Sequence, residues 1–182
     1  MAAELFMLSK TDARFAIRML ALLGVILGTP AFAADPAPIK IAVFDFELED
    51  VSAAGAAAQN DAAADFARMR DVSAQARRLL TQSGRYSLVD TAPADAEAVM
   101  TRSLHNCNGC DAGIALRLGA EQSMIGLITR VGKTEYYASL QITDVRSGKV
   151  VSQQAAFFTG ADDAWASGVR MLLRHGALAD TK

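Results

Sequence analysis

The chain is short of cysteine and proline and has no dominant charge, and each shortage removes a class of function. Its 182 residues carry 18 Lys and Arg against 20 Asp and Glu, a formal net charge of −2. That balance supplies no basic stripe for a phosphate backbone, so no nucleic-acid partner is expected. Two cysteines do not make a disulfide-dense scaffold. No proline follows Pro93, no glycine-rich phosphate loop occurs, and neither G-x-S-x-G nor H-E-x-x-H is present. With 52% hydrophobic and 21% charged residues, the composition is that of a folded domain and not of a disordered chain.

What is present begins with a sorting signal. Lys10, Arg14 and Arg18 form a positive n-region, and Met19 to Gly28 is an apolar run. That run falls short of the ~20 residues a membrane span needs. Ala31-Phe32-Ala33 then places small residues at −3 and −1 of a signal-peptidase site. Residues 1–33 therefore read as a signal peptide, starting at Met1 or Met7 and cleaved after Ala33, with no stable membrane span left behind. No cysteine follows the apolar run, so lipid attachment is not expected. The mature protein is expected in the periplasm, with residues 34–38 as a linker and residues 39–182 as one domain.

Ile39 to Phe46 is nearly continuous in apolar residues, as in a strand covered on both faces. Glu47, Glu49 and Asp50 follow it. Carboxylates there, with His105 as a further candidate, are the residue types that hold a metal ion. No EF-hand spacing is present and the next carboxylate is Asp61. The expectation is a solvated acidic loop without metal, where alanine substitutions cost under ~0.5 kcal/mol.

Asp61 to Gln82 has a helical stripe of Ala62, Phe66, Met69, Ser73, Ala76 and Leu80, capped by Asn60 or Asp61 and ended by Gly84. A short strand at Tyr86–Asp90 precedes helices at 94–102 and 111–119. Three strands follow, over Ser123–Val131, Glu135–Val145 and Val150–Phe158, with turns at Gly132-Lys133 and Ser147-Gly148. In the middle strand Tyr137, Leu140, Ile142 and Val145 read as anchors, and Ser139, Gln141 and Thr143 as a wetter face. Asp162 is placed to cap a last helix that turns Trp165, Val169, Leu172 and Gly176 inward. The order β-α-β-α-α-β-β-β-α predicts an α/β (α+β) fold with a mixed five-stranded sheet packed on helices.

Leu104 to Asp111 holds both cysteines and one of the two histidines. A local disulfide between Cys107 and Cys110 is expected in an oxidising compartment, with Gly109 freeing the backbone of so tight a ring. Its closure removes only ~2 kcal/mol of unfolded-state entropy. The alternative is thiol–disulfide exchange, since Cys110 abuts a helix N-terminus that favours a thiolate. Against exchange, Asp111 is adjacent and disfavours that anion, and no later proline can supply a cis-Pro loop. Zinc on His105, Cys107 and Cys110 lacks a fourth ligand, and covalent haem requires His where Asp111 stands. His175, in the last turn of the final helix, reads as a helix-dipole residue. No cofactor is expected.

The order of the pieces carries a resemblance. Ile41 to Glu47, the following helix, Ser83 to Asp90, Leu118 to Gly132, Leu140 to Val151 and a closing helix resemble the N-terminal domain of TolB and the curli-secretion lipoproteins. Within that group the first strand and the C-x-x-C ahead of Leu118-Gly119-Ala120 resemble an uncharacterised bacterial family of predicted periplasmic lipoproteins. The resemblance implies a non-catalytic interaction or accessory module of the envelope, whose partner is another envelope protein. The alternative function is a periplasmic thiol–disulfide redox protein using Cys107 and Cys110.

Overall fold

Six strands form one mixed sheet in the computed structural model, which describes residues 36–56, 61–94, 103–160 and 163–179. In chain order the elements are β1 (Ile39–Val43), β2 (Glu47–Asp50), α1 (Ala53–Ala56), α2 (Ala62–Gln82) and β3 (Tyr86–Val89). A 3-10 turn (Leu104–Asn106), α3 (Cys110–Arg117), β4 (Gln122–Arg130), β5 (Glu135–Asp144), β6 (Val150–Thr159) and α4 (Ala164–His175) follow. β1 lies between β3 and β4, parallel to both, while β4, β5 and β6 form an antiparallel meander. The mixed sheet and its α+β class are those the sequence predicts. The signal peptide, residues 34–35 of the linker, the core of the predicted 94–102 helix and the candidate caps Asn60 and Asp162 lie outside the described residues.

The sheet has six strands and not five, because Glu47–Asp50 is a strand and not a loop. β2 pairs in parallel with Leu127–Arg130, on the side of β4 that β1 occupies at Gln122–Met124. β1 and β2 are one strand path interrupted by a bulge. Val43 faces Met124 and Glu47 faces Leu127, so Phe44 to Phe46 oppose only Ile125 and Gly126. An extra residue of this kind bends the strand and re-aims its side chains. The bulge still satisfies its backbone: Phe44 N–H donates to the Met124 carbonyl (3.1 Å) and Phe46 N–H to the buried Ser73 hydroxyl of α2 (2.9 Å).

Both faces of β1 are covered, as its apolar run requires. Ile41 and Val43 join the larger core under α2 and α4, with Val72, Ala76, Leu80, Met124 and Trp165. Ala42 and Phe44 join a smaller core under the 3-10 turn and α3, with Leu104, Ile114, Ala115 and Val145. Asp61 caps α2 by accepting from the N–H groups of Ala63 (3.0 Å) and Ala64 (3.1 Å), and Gly84 ends it at φ +70°.

Several side-chain assignments differ from the sequence reading, and Ala62, expected on the buried stripe of α2, is exposed. Phe66 is 58% exposed beneath the Arg70 guanidinium, and Asp65 takes its place on the buried stripe of α2. Strict alternation along β5 sends Tyr136, and not Tyr137, into the core, where its ring stacks on Phe158 and meets the edge of Trp165. Thr143 is buried and not on the wetter face, beside a register break where β5 passes from Ile142 to Thr143 while β6 skips from Ser152 to Val150. The cap of α4 falls on Asp163, whose side chain makes no cap hydrogen bond.

The bulge depends on Gly126. A Cβ there would run into the Phe46 ring. Gly126→Ala is therefore expected to destabilise the protein by ~1–3 kcal/mol through overpacking. Combined with Phe46→Leu, the total loss in urea unfolding should be smaller than the sum of the two single losses. An additive pair, or a Gly126→Ala protein as stable as the parent, contradicts this packing.

Candidate functional site

The alternation of β2 separates its acidic residues. Leu48 and Asp50 turn toward α2, whereas Glu47 and Glu49 turn toward the opposite face. Glu47 thereby meets the start of the 3-10 turn, whose first N–H groups have no partner of their own and whose Ser103 provides no side-chain cap. Its carboxylate accepts from Leu104 N–H (2.6 Å), His105 N–H (3.2 Å) and the Ser103 hydroxyl (3.3 Å). It also contacts His105 Nδ1. Glu47 is a cap supplied from a distant strand, 57 residues away in sequence from the Leu104 it holds. The solvated-loop reading is therefore wrong for Glu47, while Glu49 is exposed.

The segment that Glu47 fastens carries the cysteine pair. Cys107 and Cys110 are disulfide-bonded, with their Cα atoms 5.6 Å apart. Between them Asn108 (φ +53°) and Gly109 (φ +92°) both adopt the left-handed conformation. Glycine enters that region without cost, and asparagine is among the side chains that tolerate it. Both cysteines pack against the smaller core, and Cys107 Sγ lies 3.1 Å from the Leu104 carbonyl oxygen. Asp111 turns into the protein, 1% exposed, and accepts from the Ser123 hydroxyl of β4 at 2.5 Å.

On the other face, Arg130 ends β4 inside the protein at 6% exposure. It donates to Asp50 (2.7 Å) and to Asp65 (2.5 Å), and its guanidinium lies over the Tyr136 and Trp165 rings at 5.9 and 5.8 Å. Asp65 also accepts from Arg68 at 3.0 Å. The Asp65 hydrogen bond holds the guanidinium above its ordinary pKa against the opposing effect of burial, with Asp50 adding to it. Burial would raise the Asp50 carboxyl, but hydrogen bonds from Ser52 and Arg130 hold it below the ordinary value. A depressed carboxylate stabilises the fold above its unfolded pKa, and that contribution is lost as pH falls through the folded one.

At the carboxyl ends of β1 and β3 the described residues line a cleft of about 820 Å³. Phe44 and Leu88 form its apolar wall, and Asp45, Glu47, Arg77 and Asp90 its polar rim. Arg77 donates to the Val43 carbonyl and to Asp45, each at 2.8 Å. Of the sequence-derived metal candidates, Glu47 and His105 come together, Asp50 lies on the opposite face with Arg130, and Glu49 stands apart. Among the described residues no group of three or more His, Cys, Asp and Glu is placed to hold a metal ion. His175 ends α4 at the surface.

The Arg130 cluster escaped the sequence reading. Its signals are an arginine closing an otherwise apolar strand and an aspartate one position before Phe66 in the first turns of a helix. If Glu47 is a cap, Glu47→Ala should lower stability by ~1–3 kcal/mol, the cost of orphaned buried donors, while Glu49→Ala should stay within ~0.5 kcal/mol. Equal melting temperatures for the two variants contradict the assignment.

The fold has solved counterparts at low sequence identity. The LpoB C-terminal domain from Salmonella enterica is 14% identical over 70% of this chain and 87% of that one, with a TM-score of 0.50. Lipoprotein GNA1162 from Neisseria meningitidis is 17% identical over 77% and 92%, at TM-score 0.46. TolB from Acinetobacter baumannii is 17% identical over 75% of this chain but 26% of that one, at 0.43. At such identity the LpoB likeness shows the fold alone. No curated protein matches the chain. The family described as "Protein of unknown function (DUF2380)" matches residues 39–176, most of the chain, and the chain belongs to that family.

Proposed function

We propose that the protein is an exported, non-catalytic accessory domain of the cell envelope that works by contact with another envelope protein. Residues 1–33 provide the export signal, and no described helix is long and apolar enough to cross a membrane. The observation that carries the reading is where the polar side chains go. Glu47, His105, Asp50, Asp65, Arg130 and Asp111 are each engaged by other groups of the fold, so the groups that would do chemistry serve to hold elements together. Meanwhile Ser139, Gln141, Gln153 and Phe157 lie on the outer face of β5 and β6, beyond α3, which covers the Ser123 end of β4 on that side. A hollow of about 180 Å³ opens on this face beside His105.

The cysteine pair acts in this reading as a brace on the segment that Glu47 caps. Thiol–disulfide exchange is the second reading, favoured by the position of Cys110 as the first residue of α3. A photo-cross-linking residue at Gln141 in intact cells should trap an envelope protein, and the disulfide should show a reduction potential below about −300 mV. Absence of any adduct overturns the contact reading. A potential between roughly −120 and −270 mV makes the pair an exchange catalyst instead.

A further inference from the structure

We infer that β6 is a pairing edge for a second copy of the chain, joined antiparallel about a two-fold axis through Ala155. This does not rest on the envelope reading. Among the described residues three strands have a single partner, β2, β3 and β6, and they are built differently: β2 is Glu-Leu-Glu-Asp, short and acidic. β3 is four residues long and flanked by Arg85 and Asp90. β6 runs for ten residues, Val-Val-Ser-Gln-Gln-Ala-Ala-Phe-Phe-Thr, without a charge or a proline. Edges that must stay single carry such blocking residues, and a long uncharged edge is a template for another strand.

The backbone fixes which residues present that template. Gly160 N–H donates to the Thr134 carbonyl (3.0 Å), just beyond the Glu135–Thr159 pair. Antiparallel hydrogen bonding alternates, so Phe158, Ala156 and Gln154 direct their N–H and C=O groups to β5. Gln153, Ala155 and Phe157 direct theirs to the open edge. The side chains of these three are also exposed, Phe157 at 74%.

Register and occupant follow from the same strand. After the irregularity at Val151 the regular stretch begins at Ser152 and runs to Thr159; within it Ala155 has Gln153 and Phe157 one outward step to either side. Pairing there sets Ala155 against its own image, and Phe157 against Gln153 and Phe158 against Ser152 of the second copy. About six backbone hydrogen bonds would form across the three outward pairs. A different, charged partner would find no countercharge on β6, whereas a second β6 needs none. This self-complementarity is what selects a second copy.

Directly opposed residues of a hydrogen-bonded pair lie ~5.5 Å apart at Cα, inside the disulfide range. Purified Ala155→Cys protein under mild oxidation should therefore run as a covalent dimer on a non-reducing gel, and Ser87→Cys on β3 should not. Light scattering should give the parent twice its chain mass at high concentration. Ala155→Pro removes an outward N–H that β5 does not use, and Phe157→Lys adds the charge that β6 lacks. Both should be monomeric with the parent's circular dichroism, and if the proline variant fails to fold, the lysine variant decides. A parent that stays monomeric at all concentrations, dimers that survive Phe157→Lys, or equal cross-linking at Ser87→Cys overturns the inference.

Discussion

Arg130 leaves the end of β4 with its guanidinium inside the protein, and four other elements close around it. Asp50 comes from β2, Asp65 from α2, Tyr136 from β5 and Trp165 from α4. An unpaired guanidinium at that depth would cost several kcal/mol, so the two carboxylates are conditions of its burial and not ornaments of it. The arrangement also explains why α2 presents an aspartate where its hydrophobic period calls for Phe66. Turning the helix to bury Phe66 would pull Asp65 away from Arg130. It explains β2 as well, since Asp50 reaches Arg130 only if the chain resumes pairing with β4 after the bulge at Phe44–Phe46.

The bulge then fixes the opposite face. Three residues over two re-aims Glu47 toward the 3-10 turn, where its carboxylate caps the segment that leads into the disulfide. The two clusters of polar side chains thus sit back to back across one strand, Asp50 serving one and Glu47 the other. In both clusters the carboxylates accept hydrogen bonds from donors of the fold itself.

Much of this was legible in the residues. The apolar run at Ile39–Phe46 announced a strand covered on both faces, the Asp61 cap and Gly84 bounded α2, and Gly148 with φ +68° turned β5 into β6. Glu47–Asp50 was illegible because four acidic and apolar residues carry no strand signal when their partners are Leu127–Arg130, far along the chain. Tyr136 and Tyr137 are indistinguishable in composition, and only the register with β4 and β6 decides which enters the core. Glu47 as a cap was hidden for the same reason, since capping signals are sought next to a helix and not 57 residues before it.

Buried ionic contacts at Arg130 hold the sheet to its helices. Urea unfolding of Arg130→Met, alone and with Asp65→Asn, tests that claim most directly. Removing one partner of a buried pair costs ~3–5 kcal/mol because a carboxylate is stranded. A loss of that size is expected for Arg130→Met, partly recovered when Asp65→Asn removes the stranded charge. A loss under ~0.5 kcal/mol, or two losses that simply add, would contradict it.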